Sequence, residues 1–190
     1  MRSAAPLVAS ALLVAAAAFA QTAPDASAPG GEAPAAAPAG QAPAANTAAV
    51  SNDGVRWFNS DDVPTFKVGD DGAVDWPTFS GYRRYHSDCH VCHGPDGEGS
   101  TYAPALKNSV MRMDYYDFQA VVASGRQVVN SGENNVMPAF GTNPNVMCYL
   151  DDIWTYLRAR GADAVPRGRP AKREDKSEAF AEAEKACMDQ

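Results

Sequence analysis

Two cysteines three residues apart, with a histidine directly after the second, constrain this chain more than anything else in it: Cys89-His90-Val91-Cys92-His93. Thiols at that spacing can add as thioethers across the vinyl groups of a porphyrin, and the imidazole that follows is placed to ligate the iron. Two other chemistries use paired cysteines. A thioredoxin-type dithiol sits in a strand-helix-strand setting, which the flanking sequence does not offer. A zinc site needs a second ligand pair, and the chain has no further Cys-x-x-Cys or histidine pair. The motif reads as covalent attachment of one haem c through Cys89 and Cys92. The surrounding domain must then wrap a planar, apolar group.

The N-terminus reads as a processing segment. Arg2 supplies a positive start, Leu7 to Ala20 is an apolar run too short to span a bilayer, and Ala18-Phe19-Ala20 is a small-x-small cleavage site. Residues 1–20 are assigned to a signal peptide, which leaves no membrane span after cleavage. A retained signal would turn the next stretch into a tether. Residues 21–50 are roughly two-thirds Ala, Pro and Gly, too poor in aliphatic bulk to offset ordering entropy, and read as a disordered linker. Residues 51–190 are one monohaem domain with a C-terminal extension. Export and thioether attachment both point to an oxidising, periplasm-like space. The formal charge is -7, and its acidic excess lies mostly before Gly81. No basic face of the kind that binds nucleic acid is present.

The periodicity predicts an all-α domain of about three main helices, preceded by a short hairpin at Thr65–Asp75 with Asp71-Gly72 in its turn. The first helix opens at Trp76-Pro77-Thr78 and runs into the haem motif. Gly81, Tyr85 and Cys89 fall on one face of it, where the glycine would admit a close helix crossing. The second runs from an Asp114 cap to Ser124 and stops at Gly125. The third runs from about Asn145 to Arg160, with Val146, Tyr149, Leu150, Ile153 and Leu157 on one stripe and two arginines at its C-terminal end.

His93 is the proximal ligand in this reading. His86 and His90 lie on the same attachment segment and cannot easily reach the opposite face. Methionine is the other common axial donor, and Met137, held extended by Pro138, is the candidate. A ligating imidazole normally donates its second N–H to a carbonyl, and Pro104 is the candidate acceptor. Asp96-Gly97-Glu98-Gly99 reads as a flexible polar turn. Cys148 and Cys187 remain, and a leftover pair in an oxidising space is expected to form a disulfide. The tail from Arg167 to Cys187 reads as a solvated, charge-mixed helix, with a docking surface as the alternative.

These pieces together resemble a class I cytochrome c, through the haem motif, Ala103-Pro104-Ala105-Leu106, Met137-Pro138 and the last helix. More narrowly the chain is similar to the four-cysteine cytochromes c of bacterial methanol metabolism, relatives of cytochrome c-L. The stretches that carry this likeness are Gly81 to His86, Asn145 to Tyr149, Arg167 to Lys172 and Glu184 to Cys187. The resemblance implies an electron-transfer protein of the periplasm rather than an enzyme. Its donor would be a methanol dehydrogenase that uses pyrroloquinoline quinone and a lanthanide, and its acceptor another cytochrome c or a terminal oxidase. The alternatives are a general cytochrome c for another quinoprotein alcohol dehydrogenase or oxidase, and a haem enzyme or gas-binding protein with an open distal site.

Overall fold

The computed structural model describes residues 46–129 and 134–190, so the predicted signal peptide and most of the predicted linker lie outside the described residues. The domain is mostly helical but not all-α, which corrects the sequence expectation. Two small sheets accompany the helices. Strands β1 (Ser51–Asn52), β2 (Trp57–Phe58) and β3 (Pro64–Thr65) form an antiparallel sheet in sequence order. Elements two residues long have no periodicity to detect, which is why the pattern missed them. Asn46–Val50, placed in the linker by composition, is held to this layer. The Asn59 side chain donates to the Asn46 carbonyl at 3.0 Å, Thr65 to the Thr47 carbonyl at 2.8 Å, and the Val50 amide to the Phe58 carbonyl at 2.8 Å. The turn expected within Thr65–Asp75 is present as a Val68–Val74 bridge closed by Gly69 N–H to Ala73 O at 2.8 Å.

Helix α1 (Trp76–Asp88) starts where Asp75 accepts the Thr78 amide at 2.8 Å, with Pro77 in the first turn. The single turn α2 (His90–His93) continues it through the cysteine motif. After a short turn, α3 (Leu106–Ser109), α4 (Tyr115–Ser124), α5 (Pro144–Met147), α6 (Leu150–Gly161) and α7 (Glu178–Met188) follow. α4 has the Asp114 cap and Gly125 stop that the sequence predicted. The predicted third helix is broken. Tyr149 N–H bonds back to Val146 O at 3.1 Å, a three-residue closure that tightens the turn and separates α5 from α6 at Cys148-Tyr149.

α6 is the centre of the fold. Every residue from Asp152 to Arg160 is buried, so the single apolar stripe read from the sequence understates its enclosure. Trp154, Tyr156 and Leu157 lie in the main core with Tyr85, Val110, Phe118 and Ile153. The Trp154 indole donates to the Pro64 carbonyl at 3.1 Å, and Arg158 donates to the Val110 and Asn46 carbonyls at 2.9 and 2.8 Å. Its arginines therefore tie outlying backbone to the core, beyond any interaction with the helix dipole.

α1 crosses α6 at Gly81. A Cβ there would stand 1.8 Å from the Asp152 carbonyl oxygen and 2.8 Å from Tyr156 Cβ, so only hydrogen fits. Cys148 and Cys187 form the expected disulfide, with Cα atoms 5.7 Å apart, and fasten α7 to the end of α5.

Candidate functional site

Cys89, half-buried, and Cys92, exposed, take no part in a disulfide and stand one turn apart where α1 passes into α2. Burial, reinforced by Asp88 and Cys92, pushes the Cys89 thiol up to about 12. His93 is buried at the end of α2, and its Nδ1 lies 3.0 Å from the Pro104 carbonyl. Since a carbonyl only accepts, Nδ1 carries the proton and Nε2 keeps its lone pair. Burial holds the His93 pKa below the ordinary imidazole value, opposed by the bond to Pro104, so the ring is neutral near pH 7. The sequence-predicted acceptor is the one in place.

The loop after the motif differs from the flexible polar turn expected. Asp96 and Gly97 are buried, and Asp96 adopts φ 58°. Tyr85, fully buried one helical turn before Cys89, places its hydroxyl 2.5 Å from Gly94 O and accepts the Gly97 amide at 3.1 Å. Asp96 accepts from Tyr156 Oη at 3.2 Å and from the Gly168 amide at 3.0 Å. Glu98 pairs with Lys107 and Arg160, each at 2.8 Å. Burial alone would raise the Asp96 pKa, but the Gly168 and Tyr156 bonds and the nearby Arg160 charge outweigh it and hold it below the ordinary value. Sequence reasoning missed this network. Within the loop itself only Asp96 and Glu98 carried a signal; their partners Lys107, Tyr156, Arg160 and Gly168 lie farther along the chain.

His86 and His90 are engaged on the segment that bears them. His86 donates from Nδ1 to Tyr82 O at 2.8 Å, its Nε2 faces the Asp96 amide at 3.3 Å, and its ring stacks on His90 at 5.7 Å.

Met137 lies in a two-stranded ribbon that the sequence reading took for a loop. β4 (Arg126–Val129) pairs antiparallel with β5 (Asn134–Met137), with Met137 opposite Arg126 at the anchored end. Gly125 makes that anchorage possible. At φ 73°, a Cβ there would meet the Met137 carbonyl at 2.6 Å and the Ala139 nitrogen at 2.8 Å. Beyond it, Phe140 and Gly141 bond back to Val122 and Ala123 of α4 at 3.0 and 2.9 Å. Val128-Val129 before Asn130-Ser131-Gly132 was the available hairpin signal.

The donor set fits a covalent haem better than its rivals. Leu106, Met111, Met113, Met137 and Phe140 pack against the core yet remain only partly buried, apolar surface that a planar group would complete. Among the described residues no group of three or more His, Cys, Asp or Glu is arranged to hold a metal ion. The motif continues a helix rather than following a strand, which disfavours a thioredoxin-type dithiol. Among the described residues no helix is long and apolar enough to cross a membrane.

Residues 78–157 match the family model described as cytochrome c oxidase, cbb3-type, subunit III. The chain is 65% identical over 133 residues to cytochrome c-553I of Paracoccus denitrificans, covering 70% of this chain and 59% of that one, so it spans less than two thirds of that relative. It is 37% identical over 100 residues to cytochrome c-555 of Methylococcus capsulatus, 52% of this chain and 75% of the relative. Among solved structures it is similar to the c-type cytochrome XoxG of Methylobacterium extorquens AM1, with TM-score 0.69 and 51% identity over 75% of this chain and 87% of that one. With the thioether motif and its histidine set as described, the chain belongs to the c-type cytochromes.

Proposed function

We propose that this protein is a periplasmic one-electron carrier. It takes electrons from a methanol dehydrogenase that uses pyrroloquinoline quinone and a lanthanide, and passes them to another cytochrome c or a terminal oxidase. The observation that carries the reading is the His93 ring, fixed by Pro104 so that Nε2 is its one free donor, beside two thiols spaced for thioether bonds. In this reading Cys89 and Cys92 would hold the haem, and His93 and Met137 would donate to its iron. When bound, the haem contributes a reversible one-electron iron couple.

The chain's own residues keep that couple simple. Tyr85 and the Asp96 network lock the loop behind His93, and the base of the ribbon holds Met137. Two protein donors leave no position for substrate, which separates a carrier from a haem enzyme. A thioether donor favours the reduced iron and raises the potential. The Cys148–Cys187 disulfide supports an oxidising compartment, and the likeness to methanol-metabolism cytochromes along Gly81–His86 and Arg167–Lys172 supports the donor.

Mixing the oxidised holoprotein with lanthanide-loaded methanol dehydrogenase and methanol tests the donor. Rapid appearance of the reduced spectrum is the expected result. No reduction by that enzyme, with rapid reduction by another quinoprotein alcohol dehydrogenase, would reassign it.

A further inference from the structure

In a chain of formal charge -7, Arg167, Arg169, Lys172 and Arg173 follow one another with no acidic residue between them. They lie on a strap between α6 and α7 that is exposed on both sides of the buried Pro170. The strap is fixed against the start of α1. Arg169 and Arg173 lie 5.3 and 5.0 Å from the Phe79 ring centroid, and Arg173 lies 4.7 Å from that of Trp76. Cations held in place this way lose little freedom when a partner meets them. The acids that touch them do not cancel the surplus: Asp96 faces Arg167 at 3.5 Å, Asp71 faces Lys172 at 3.4 Å, and Asp175 faces Arg173 at 3.8 Å. Of these Asp96 is buried and already shared with Tyr156 and Gly168.

The strap also lies near the cysteine motif. Gly168 N–H donates to Asp96, the Asp96 N–H faces His86 at 3.3 Å, and His86 stacks on His90, which stands between the two cysteines. We propose that the strap is the docking surface for an acidic face of the protein partner with which the haem exchanges electrons, an inference that rests on the carrier reading above. A fixed array of cations beside the attachment loop would steer such a face toward the site of transfer. An anionic bilayer fits less well. The strap carries no large exposed apolar side chain to enter it, and the net negative charge opposes the approach.

The test compares Lys172→Glu and the double variant Lys172→Glu/Arg169→Glu with Lys185→Glu, each as holoprotein. Lys185→Glu, at an exposed position of α7, makes the same change of net charge as Lys172→Glu; the Lys172 ammonium bonds only Asp71, and its backbone bond to Val74 does not depend on the side chain, so its replacement leaves the fold intact. An unchanged visible spectrum and potential verify the haem pocket. If methanol dehydrogenase reduces the wild type, its second-order rate constant decides. The double variant is expected to lose about tenfold at low ionic strength and to converge with wild type at high salt, while Lys185→Glu stays near wild type. If that enzyme does not reduce the wild type, the donor assignment is wrong and oxidation of the reduced protein by the anion hexacyanoferrate(III) decides, with the same ordering of variants. Equal losses in strap and α7 variants, or none, overturn the proposal. So does binding to phosphatidylglycerol vesicles that the strap variants lose while their electron-transfer rates stay unchanged.

Discussion

Gly81→Ala probes the helix crossing on which the site is built. The added Cβ would lie 1.8 Å from the Asp152 carbonyl oxygen, 2.4 Å from its carbon and 2.8 Å from Tyr156 Cβ. None of these atoms can rotate away. Restoring a carbon–oxygen contact of about 3.3 Å requires the helices to part by roughly 1.5 Å. In a solvated helix the same change would stabilise by about 1 kcal/mol. Here overpacking costs about 3 kcal/mol, at the upper end of its usual range because the obstruction is backbone. The net loss is about 2 kcal/mol, or a fall of about 6–8 °C in melting temperature for a domain of this size. Thermal melts of the holoprotein followed by far-ultraviolet circular dichroism would measure it. Gly69→Ala is the control: its Cβ meets the movable Asp71 side-chain oxygen at 3.2 Å and the Ala73 carbonyl oxygen at an ordinary 3.6 Å, and the melt should barely move. A Gly81→Ala protein that melts at or above wild type refutes the reasoning.

Met137→His should leave a folded protein whose potential falls by a sizeable part of the roughly 0.8 V that axial donors span. An unchanged potential and an unchanged sulfur-to-iron charge-transfer band would remove Met137 from the site. Replacing Cys148 and Cys187 by serine should cost about 2–4 kcal/mol, with proteolysis beginning in α7 while the haem spectrum persists; simultaneous loss of both would contradict the view of α7 as a fastened appendage. Burial raises the Asp75 carboxyl to about 6 against the Thr78 and Lys67 amides that it accepts. Because the folded value lies above the unfolded one, its stabilising contribution is full below the unfolded value of 3.8 and is lost as pH rises through about 6. The Thr78 amide resonance should titrate with a midpoint near 6, and a midpoint near 4 would show that burial does not dominate.

The sequence reading and the structure agree where a local rule determines the outcome. The Asp114 cap and Gly125 stop bound α4 as expected, Gly81 marks the close crossing, and Pro104 faces His93. The ribbon was missed because attention to Met137 and Pro138 hid the β-branched pair at Val128-Val129, and because a two-strand element packs mainly against itself. The break at Cys148-Tyr149 is a tightened turn beside the cysteine that the disulfide ties to α7, a segment distant in sequence. The Asp96 network joins residues from Tyr85 to Gly168, and no window along the chain holds both ends. Asn46–Val50 has a linker's composition but makes backbone hydrogen bonds to the domain, which composition does not encode.

The enclosure of α6 has a consequence for how the molecule breathes. Because this helix touches the sheet, α1, α3, α4 and the turn after the motif, its amide protons can trade with deuterium only when the whole domain comes apart. The ribbon, exposed along β4, can open alone and far more often. With iron held as proposed, its two sides would live on different clocks, the His93 side tied to the slowest motion of the protein and the Met137 side to one of its fastest.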